Sequence, residues 1–414
     1  MTLQAFVCAS LHLVLAAIVV APIFIVGGTP LIHAQTFTVF HAFSGDDGSI
    51  PNGDMIRDNA GNFYGTTQSG QGSSRFGVVF QLDSAGNETV LYKFTGGADG
   101  ANPYGRLLRA NDGTLYGMTL AGGDPNCLCG TVFKLRTDGT LKVLHAFLGG
   151  VDGKQNIGQP GGGLLRIGNA LYGATYFGGT PTCDPGLGCG VIFKVTQTGK
   201  EAVLYRFSGG ADGAFPRELI ADPAGNIYGV TESGYNSVSV NGGVFKLDNT
   251  GQLTVLYNFQ GGNDGSFPYW RLTAGGNGIL YGTTLSGGSS GCSSGSCGVV
   301  FSLDTTNGIE TVLHRFGIRP GDGQEPSGAL LDGAGNLFGT TYFGGNVNGL
   351  CSVGCGVVYV RKTNGAYKVL HSFTGGVDGL GPNGALIQDF AGGLYGAAAG
   401  GGINNNGLIF KITR

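Results

Sequence analysis

Three short motifs recur seven times along this chain, always in the same order, so the fold must be assembled from seven like units. The first is a Gly-rich segment ending in Asp-Gly. Its acids are Asp47, Asp99, Asp152, Asp212, Asp264, Asp322 and Asp378, spaced 52 to 60 residues apart. The second is an aromatic-Gly step at Tyr64, Tyr116, Tyr172, Tyr228, Tyr281, Phe338 and Tyr395. The third is a GVVF-like run starting at Gly77, Gly130, Gly190, Gly242, Gly298, Gly356 and Gly407.

Each unit carries four short segments rich in Val, Ile, Phe, Tyr and Thr, residues that suit a pleated, packed surface. In the first full unit they are 54–58, 62–68, 77–83 and 88–94, separated by Gly-containing turns such as Asn59-Ala60-Gly61. No segment of the mature chain sustains a 3.6-residue apolar period. Four-stranded units repeated four to eight times form propellers. The mature chain begins with 36–43, which has a fourth-strand pattern, and ends with first-, second- and third-strand patterns. The segment 36–43 should therefore complete the last blade beside 407–412 and leave no open sheet edge. The expected fold is all-β: a seven-bladed β-propeller of four-stranded antiparallel blades, one domain over 35–414.

Composition narrows the setting. Gly is 83 of 414 residues, a share that without a period would suggest low complexity. Charged residues are only 12 % and the net charge is −3, with no basic stripe, which excludes nucleic acid as the expected partner. Leu11 to Val26 is almost wholly apolar and Ala34 precedes Gln35, which reads as a secretory leader over 1–34. No Lys or Arg precedes Arg57, so an uncleaved anchor is the rival, though its apolar run is short for a span. No later run is long enough to cross a bilayer. Of nine cysteines, Cys8 lies in the leader. The others form four close pairs: Cys127/Cys129, Cys183/Cys189, Cys292/Cys297 and Cys351/Cys355. Each pair sits in one link between second and third strands, and its second Cys directly precedes the Gly of the third motif. Disulfides within each loop are expected, in an oxidising compartment. Such short loops should stiffen the loop rim more than they stabilise the ring. Zinc would need four convergent ligands, and no His lies near these pairs.

The pattern resembles the Gloeo/Verruco (GloVer) tandem repeat of bacterial surface and secreted proteins. The segments that carry the resemblance are LYKFTGGADGANP (91–103), GNLFGTTYFGG (335–345) and GTVFKLRTDGTLKVLHAF (130–147). It covers essentially all of 36–414. It implies a repeat fold and a secreted, periplasmic or cell-surface location, and it implies no particular chemistry. Members often carry a C-terminal sorting anchor; this chain stops at Arg414 in a third strand, so release or periplasmic retention is expected.

With strands labelled A to D from the axis outward, the A–B and C–D links are short. The long B–C and D–A links share one face, which carries the cysteine and Asp-Gly loops. That is the face expected to carry function, while the opposite face has little loop material to build a pocket. The Asp-Gly loops admit a calcium reading, but calcium wants six to eight oxygens and most loops offer one acid. Capping of backbone N–H groups is the expected role, so neither a metal nor a cofactor is expected. His41, His145, His314 and His371 stand where other units have Tyr92, Tyr205 or Tyr257, and no His is placed for a Ser-His-Asp arrangement.

Where the units disagree, residues are free to carry function. The start of strand A reads Asn52-Gly53-Asp54, Tyr104-Gly105-Arg106, Arg217-Glu218 and Tyr269-Trp270-Arg271 in four units. The other three have Gly161-Gly162-Gly163, Ser327-Gly328-Ala329 and Asn383-Gly384-Ala385. Asp54, Tyr104, Arg106, Arg217, Glu218, Tyr269, Trp270 and Arg271 are the candidate ligand-binding residues. Aromatic platforms beside Arg, Asp and Glu suit a carbohydrate or another polar extracellular molecule; a protein ligand is the other partner class. The expected function is an exported, monomeric, non-catalytic binding or scaffold propeller. One alternative is a glycan hydrolase or lyase, with Asp54 and Glu218 as its catalytic acid/base candidates. Another is a structural cell-surface protein.

Overall fold

A computed structural model describes residues 35–149, 161–180, 182–183, 187–234, 240–292, 297–347 and 349–414. The leader 1–34 and the Asp152 loop lie outside the described residues. The rest forms seven antiparallel sheets, each crossed in the order A, B, C, D. Blades 1 to 6 are continuous in sequence. In blade 7, strands Leu380–Gln388, Leu394–Gly400 and Leu408–Thr413 are completed by Thr36–Ala42. Thr36 pairs with Thr413 and Ala42 with Leu408, with a register shift between Val39 and His41. The ring is closed as the sequence pattern indicates.

The second and third motifs turn out to be two halves of one contact. Strand C is packed on both sides, which is why it reads as a continuous apolar run; in Val78–Leu82 only Gln81 keeps partial exposure. The Phe of each such strand lies end-on over the Gly of the aromatic-Gly step in strand B. A Cβ on Gly65, Gly117, Gly173, Gly229 or Gly396 would come within 2.6 Å of the ring tip of Phe80, Phe133, Phe193, Phe245 or Phe410. Gly282 with Phe301 and Gly339 with Tyr359 repeat the arrangement.

Blades are joined by a second aromatic series at the end of strand D. Phe43, Phe94, Phe147, Phe207, Phe259, Phe316 and Phe373 are all buried. Each meets the strand-C aromatic of the following blade edge-on, from Phe43–Phe80 at 5.2 Å to Phe373–Phe410 at 5.3 Å between ring centres. Such pairs contribute about 0.5–1.5 kcal/mol beyond their buried area. Backbone hydrogen bonds reinforce the seams. In the described blades the residue before the loop proline adopts a left-handed φ, for example Asn102 at 53° and Glu325 at 56°. Its N–H donates to the preceding blade's B–C loop, as in Phe215 N–H to the Cys189 carbonyl at 2.8 Å and Glu325 N–H to the Cys297 carbonyl at 3.0 Å.

All four expected disulfides are present: Cys127–Cys129, Cys183–Cys189, Cys292–Cys297 and Cys351–Cys355, with Cα–Cα separations of 5.1, 5.2, 5.5 and 5.3 Å. Their placement is deeper than a loop position in the sequence indicates. Cys127, Cys292 and Cys351 keep partial exposure, but Cys129, Cys183, Cys189, Cys297 and Cys355 are buried in the hydrophobic core. Cys129 is fully enclosed and shares a cluster with Phe147 and with Leu164 of the next blade. Cys355 is 2 % exposed and shares one with Phe373 and with Leu386 and Leu408 of blade 7. The reason is their position one residue before the strand-C Gly, where the chain has already turned into the blade. There a half-cystine packs as a small hydrophobe. Its sulfur also fills the space under the Gly of the D–A loop: a Cβ on Gly375 would come 2.8 Å from Cys355 Sγ and 2.9 Å from Cys351 Sγ. Cys129 and Cys355 are therefore packing residues of the blade seams.

The Asp-Gly loops act as capped turns. Asp99 accepts from Thr95 N–H at 2.8 Å and from the Tyr92 hydroxyl at 3.0 Å. Asp212 and Asp264 take the same partners from Ser208 and Tyr205, and from Gln260 and Tyr257. In blades 5 and 6 strand D carries His and the imidazole takes the tyrosine's place: His314 Nε2 lies 3.4 Å from Asp322 Oδ1 and His371 Nε2 3.2 Å from Asp378 Oδ2.

Candidate functional site

Strand A is innermost, and its departures from regular pairing aim the divergent side chains at the axis. In blades 1, 4 and 5 it breaks into two pieces, Ser49–Pro51 and Ile56–Arg57, Ala214–Pro216 and Ile220–Ala221, and Ser266–Pro268 and Thr273–Ala274. The gaps hold Asp54, Arg217-Glu218 and Tyr269-Trp270-Arg271. In blade 2 strand A is continuous over Ala101–Arg109, but its register shifts between Tyr104 and Leu108. Such irregularities turn side chains out of the ladder.

The structure brings these residues together. Asp54, Tyr104, Arg217, Glu218, Tyr269, Trp270 and Arg271 line one space of about 20 Å³ with Gly105, Gly161 and Gly162. That is room for about one water. The glycines of the other blades are its sockets. A Cβ on Gly162 would overlap Glu218, one on Gly163 would press on Arg106, and one on Gly53 would strike the Asn383 carbonyl. The small residues beside the large ones are therefore required by close approach between neighbouring blades.

Arg217 is the anchor of the loop side. It is 3 % exposed and lies over the Tyr269 ring at 3.8 Å and the Tyr176 ring at 4.4 Å. It also donates to the Glu232 carboxylate. Burial opposes its charge, but Tyr269, Glu232 and Tyr104 outweigh burial and hold its pKa above the usual value. Burial, with Tyr269 next, pushes the Tyr104 hydroxyl well up. The Tyr104 and Tyr269 hydroxyl oxygens are 3.4 Å apart. Trp270 packs edge-on against Tyr269 at 5.1 Å.

Below this plug the channel widens. A cavity of about 470 Å³ is lined by the later halves of the A strands: leucines such as Leu164, Leu219 and Leu272, and the polar set Arg106, Arg166, Glu218 and Arg271. Glu218 Oε1 is 3.5 Å from Arg271 Nε. Burial pushes the Glu218 carboxyl up to about 7, Asp54 adding to the rise and Arg271 and Arg106 opposing it. Burial and the neighbouring Arg271 lower the Arg106 pKa against Glu218 and Asp54. Trp270 Nε1 and Arg271 Nε are buried with no hydrogen-bond acceptor. Asp54 is engaged: its Oδ1 accepts from Ala385 N–H at 2.9 Å.

Among the described residues, the larger cavity on the axis lies away from the face of the B–C and D–A loops, where the sequence pattern placed the site. On the loop side the candidate residues fill the channel with one another, and Trp270 faces that plug. The larger cavity opens on the side of the A–B turns and is built by strand residues, so it needs no loop material. Sequence reasoning missed Tyr176, Glu232 and Arg166. The first two belong to the B strands and their ends, and Arg166 lies beyond the compared stretch of strand A.

The family model of the Gloeobacter/Verrucomicrobia repeat matches residues 30–240 and 215–414. No curated protein matches the chain in sequence. Among solved structures, the extracellular domain of the hybrid two-component system BT4673 from B. thetaiotaomicron superposes with a TM-score of 0.57 at 11 % identity. That match covers 92 % of this chain, which spans only 40 % of the length of the other. An oligogalacturonate lyase in complex with manganese gives 0.53 at 11 % identity, covering 92 % and 97 % of the two chains. The oligogalacturonate lyase VPA0088 from Vibrio parahaemolyticus gives 0.51 at 11 % identity, covering 91 % and 96 %. At such identities the likeness concerns the propeller fold alone. The family match spans nearly all of the seven-bladed ring, and the chain belongs to the Gloeobacter/Verrucomicrobia repeat family.

Proposed function

We propose that this protein is an exported, non-catalytic binding propeller whose central cavity takes a small anionic polar ligand, with a carboxylated saccharide as the best-matched class. The observation that supports it is the charge lining the cavity: Arg106, Arg166 and Arg271 against the single acid Glu218. Buried donors without acceptors destabilise a fold by about 1–3 kcal/mol each, and a ligand carboxylate offers paired acceptors to a guanidinium. A volume of about 470 Å³ walled by leucines and a few charged groups is within the size range of small-molecule sites. Export accords with the four disulfides. Among the described residues no helix is long and apolar enough to cross a membrane.

Titration calorimetry with uronic acids and their short oligomers tests the proposal. Wild type should bind at least one of them, and Arg271→Ala should weaken it about 30-fold, the equivalent of about 2 kcal/mol for a charge-assisted contact. Equal affinity in the variant, or no binding across the set, contradicts it. Trp270→Ala reports on the loop-side plug; an unchanged affinity removes Trp270 from the binding site.

Binding should also depend on pH in a defined direction. Ionised Glu218 repels an anionic ligand and neutralises Arg271, whereas protonated Glu218 does neither. With its carboxyl raised to about 7, affinity should rise as pH falls through about 7, and Glu218→Gln should flatten that profile at the higher affinity. A profile unchanged by Glu218→Gln contradicts this.

One observation favours the enzyme alternative. Asp54 and Glu218 line the same space, and Glu218 has the raised pKa of a proton donor working near neutrality. The space between them holds about one water, so the binding reading is preferred. Turnover of a bound uronate oligomer by wild type, abolished in Glu218→Gln with binding retained, would reverse that preference.

A further inference from the structure

His41, Asp47 and Glu88 each offer one ligand atom, and these atoms all lie within 4.8 Å of one another. The three come from the closing strand, the link that follows it and strand D of blade 1. His41 Nε2 is 3.5 Å from Glu88 Oε2 and 3.7 Å from Asp47 Oδ2. Two ligand atoms on a tetrahedral zinc ion, each about 2.1 Å from the metal, stand about 3.4 Å apart. The observed spacings are already close to that.

The hydrogen-bonding pattern fits a ligand set. His41 Nε2 is buried and makes no hydrogen bond, although both carboxylates lie beside it. Asp47 uses Oδ1 to cap Ser44 N–H at 2.7 Å, which leaves Oδ2 for the cluster. The Glu88 side chain is only 7 % exposed, and its buried Oε1 has no hydrogen-bond partner. The nearby ammonium, Lys93, donates instead to the Asp46 carbonyl at 3.0 Å and to Ser73 Oγ at 3.3 Å. Among the described residues neither carboxylate forms an ion pair with a Lys or Arg. A bound cation would supply such a partner. One nitrogen and two or three oxygens suit a divalent transition ion of the zinc class; calcium would want six to eight oxygens.

We propose that His41, Asp47 and Glu88 form a zinc-class site that clamps the closing strand of blade 7 to blade 1, with water as fourth ligand. The ion would tie the closing strand and the link that follows it to blade 1, so binding should stabilise the docked position of that strand. In the sequence, His145, Asp152 and Glu201 stand at the equivalent repeat positions. Asp152 lies outside the described residues, so the stoichiometry is best read as a difference between variants.

The experiment titrates Zn²⁺ into chelator-stripped protein, counts bound equivalents by elemental analysis and follows Tm. The variants are Glu88→Gln and His41→Tyr; Tyr is the residue other units carry at the His41 position, so the fold should tolerate it. Wild type should bind one equivalent more than either variant and show a Zn²⁺-dependent rise in Tm that both lose in part or whole. Co²⁺ in the same site should give the visible absorption of four-coordinate ligation, weaker in both variants. Equal stoichiometry and equal Tm response in wild type and variants, or no Zn²⁺ binding by wild type, would overturn the proposal.

Discussion

Gly117→Ala, a change of one methyl group, should lower stability by about 2–3 kcal/mol, with a matching fall in the urea midpoint. The added Cβ would come within 2.5 Å of the Phe133 ring tip and 2.8 Å of Leu107 Cδ2, both fully enclosed. Neither ring nor backbone can retreat, because Phe133 is also held edge-on by Phe94 from the preceding blade at 5.3 Å. Shortening the opposing residue should restore room. Phe133→Leu alone loses packing, but in the Gly117→Ala background it should cost less, giving a favourable coupling of at least 1 kcal/mol in the double-mutant cycle. Gly139 in the C–D turn is the control. A Cβ there meets nothing within 4 Å, so Gly139→Ala bears only the strain of φ +82°, about 1 kcal/mol. A Gly117→Ala variant as stable as Gly139→Ala would mean that the Phe-over-Gly contact does not set blade packing.

Deleting residues 35–43 should have a larger effect still: loss of the monomeric cooperative fold. The deletion removes the whole outer strand of blade 7, which pairs along Leu408–Thr413. It also removes Phe43, whose ring is the aromatic link from blade 7 to Phe80 of blade 1. Burial of one such Phe is itself worth about 3–5 kcal/mol against truncation to Ala. Phe37 and Phe40 leave with it, uncovering Phe373, Phe63 and Tyr395. The sum approaches the 5–15 kcal/mol by which whole domains are stable, and the deletion exposes a strand edge. Thermal unfolding by circular dichroism, with size-exclusion chromatography, should show a broadened transition and association. A truncated monomer that melts within a few degrees of wild type would mean that the last blade closes without this strand.

Much of the architecture was legible because the repeat is written in residues with narrow steric roles. Only Gly fits under the strand-C Phe, and the D-strand Phe alternates with strand C at every seam, so the three motif series carried strand count, order and closure. The pairing of cysteines within loops was legible for a similar reason, since each pair flanks the Gly of strand C. Their depth was not: a loop position in sequence gave no sign that Cys129 and Cys355 pack into the core between blades. The site was also less legible. Asp54, Tyr104, Arg106, Arg217, Glu218, Tyr269, Trp270 and Arg271 stood out as departures from the repeat, and they do meet on the axis. What spacing could not convey is that Gly162 and Gly163 make room for Glu218 and Arg106, and Gly161 for the Pro216 carbonyl. The sequence treated them as blank positions, whereas they close the loop side and leave the cavity to the other face. The His41, Asp47 and Glu88 cluster was hidden differently. Each residue sits at an ordinary repeat position, and only the packing of neighbouring blades brings them together. Read singly, His41 is a tyrosine replacement and Asp47 a loop cap, so the sequence suggested no metal.

Everything proposed for the channel and for the seam requires a closed ring, and native-state hydrogen exchange of the amides in 36–42 measures closure directly. With Thr36–Ala42 paired to Leu408–Thr413, those amides that donate across the pairing should exchange only on opening of blade 7, at rates like those of its strand Leu394–Gly400. Exchange across 36–42 at the rate of an unstructured peptide, with Leu394–Gly400 still protected, would contradict the closed ring.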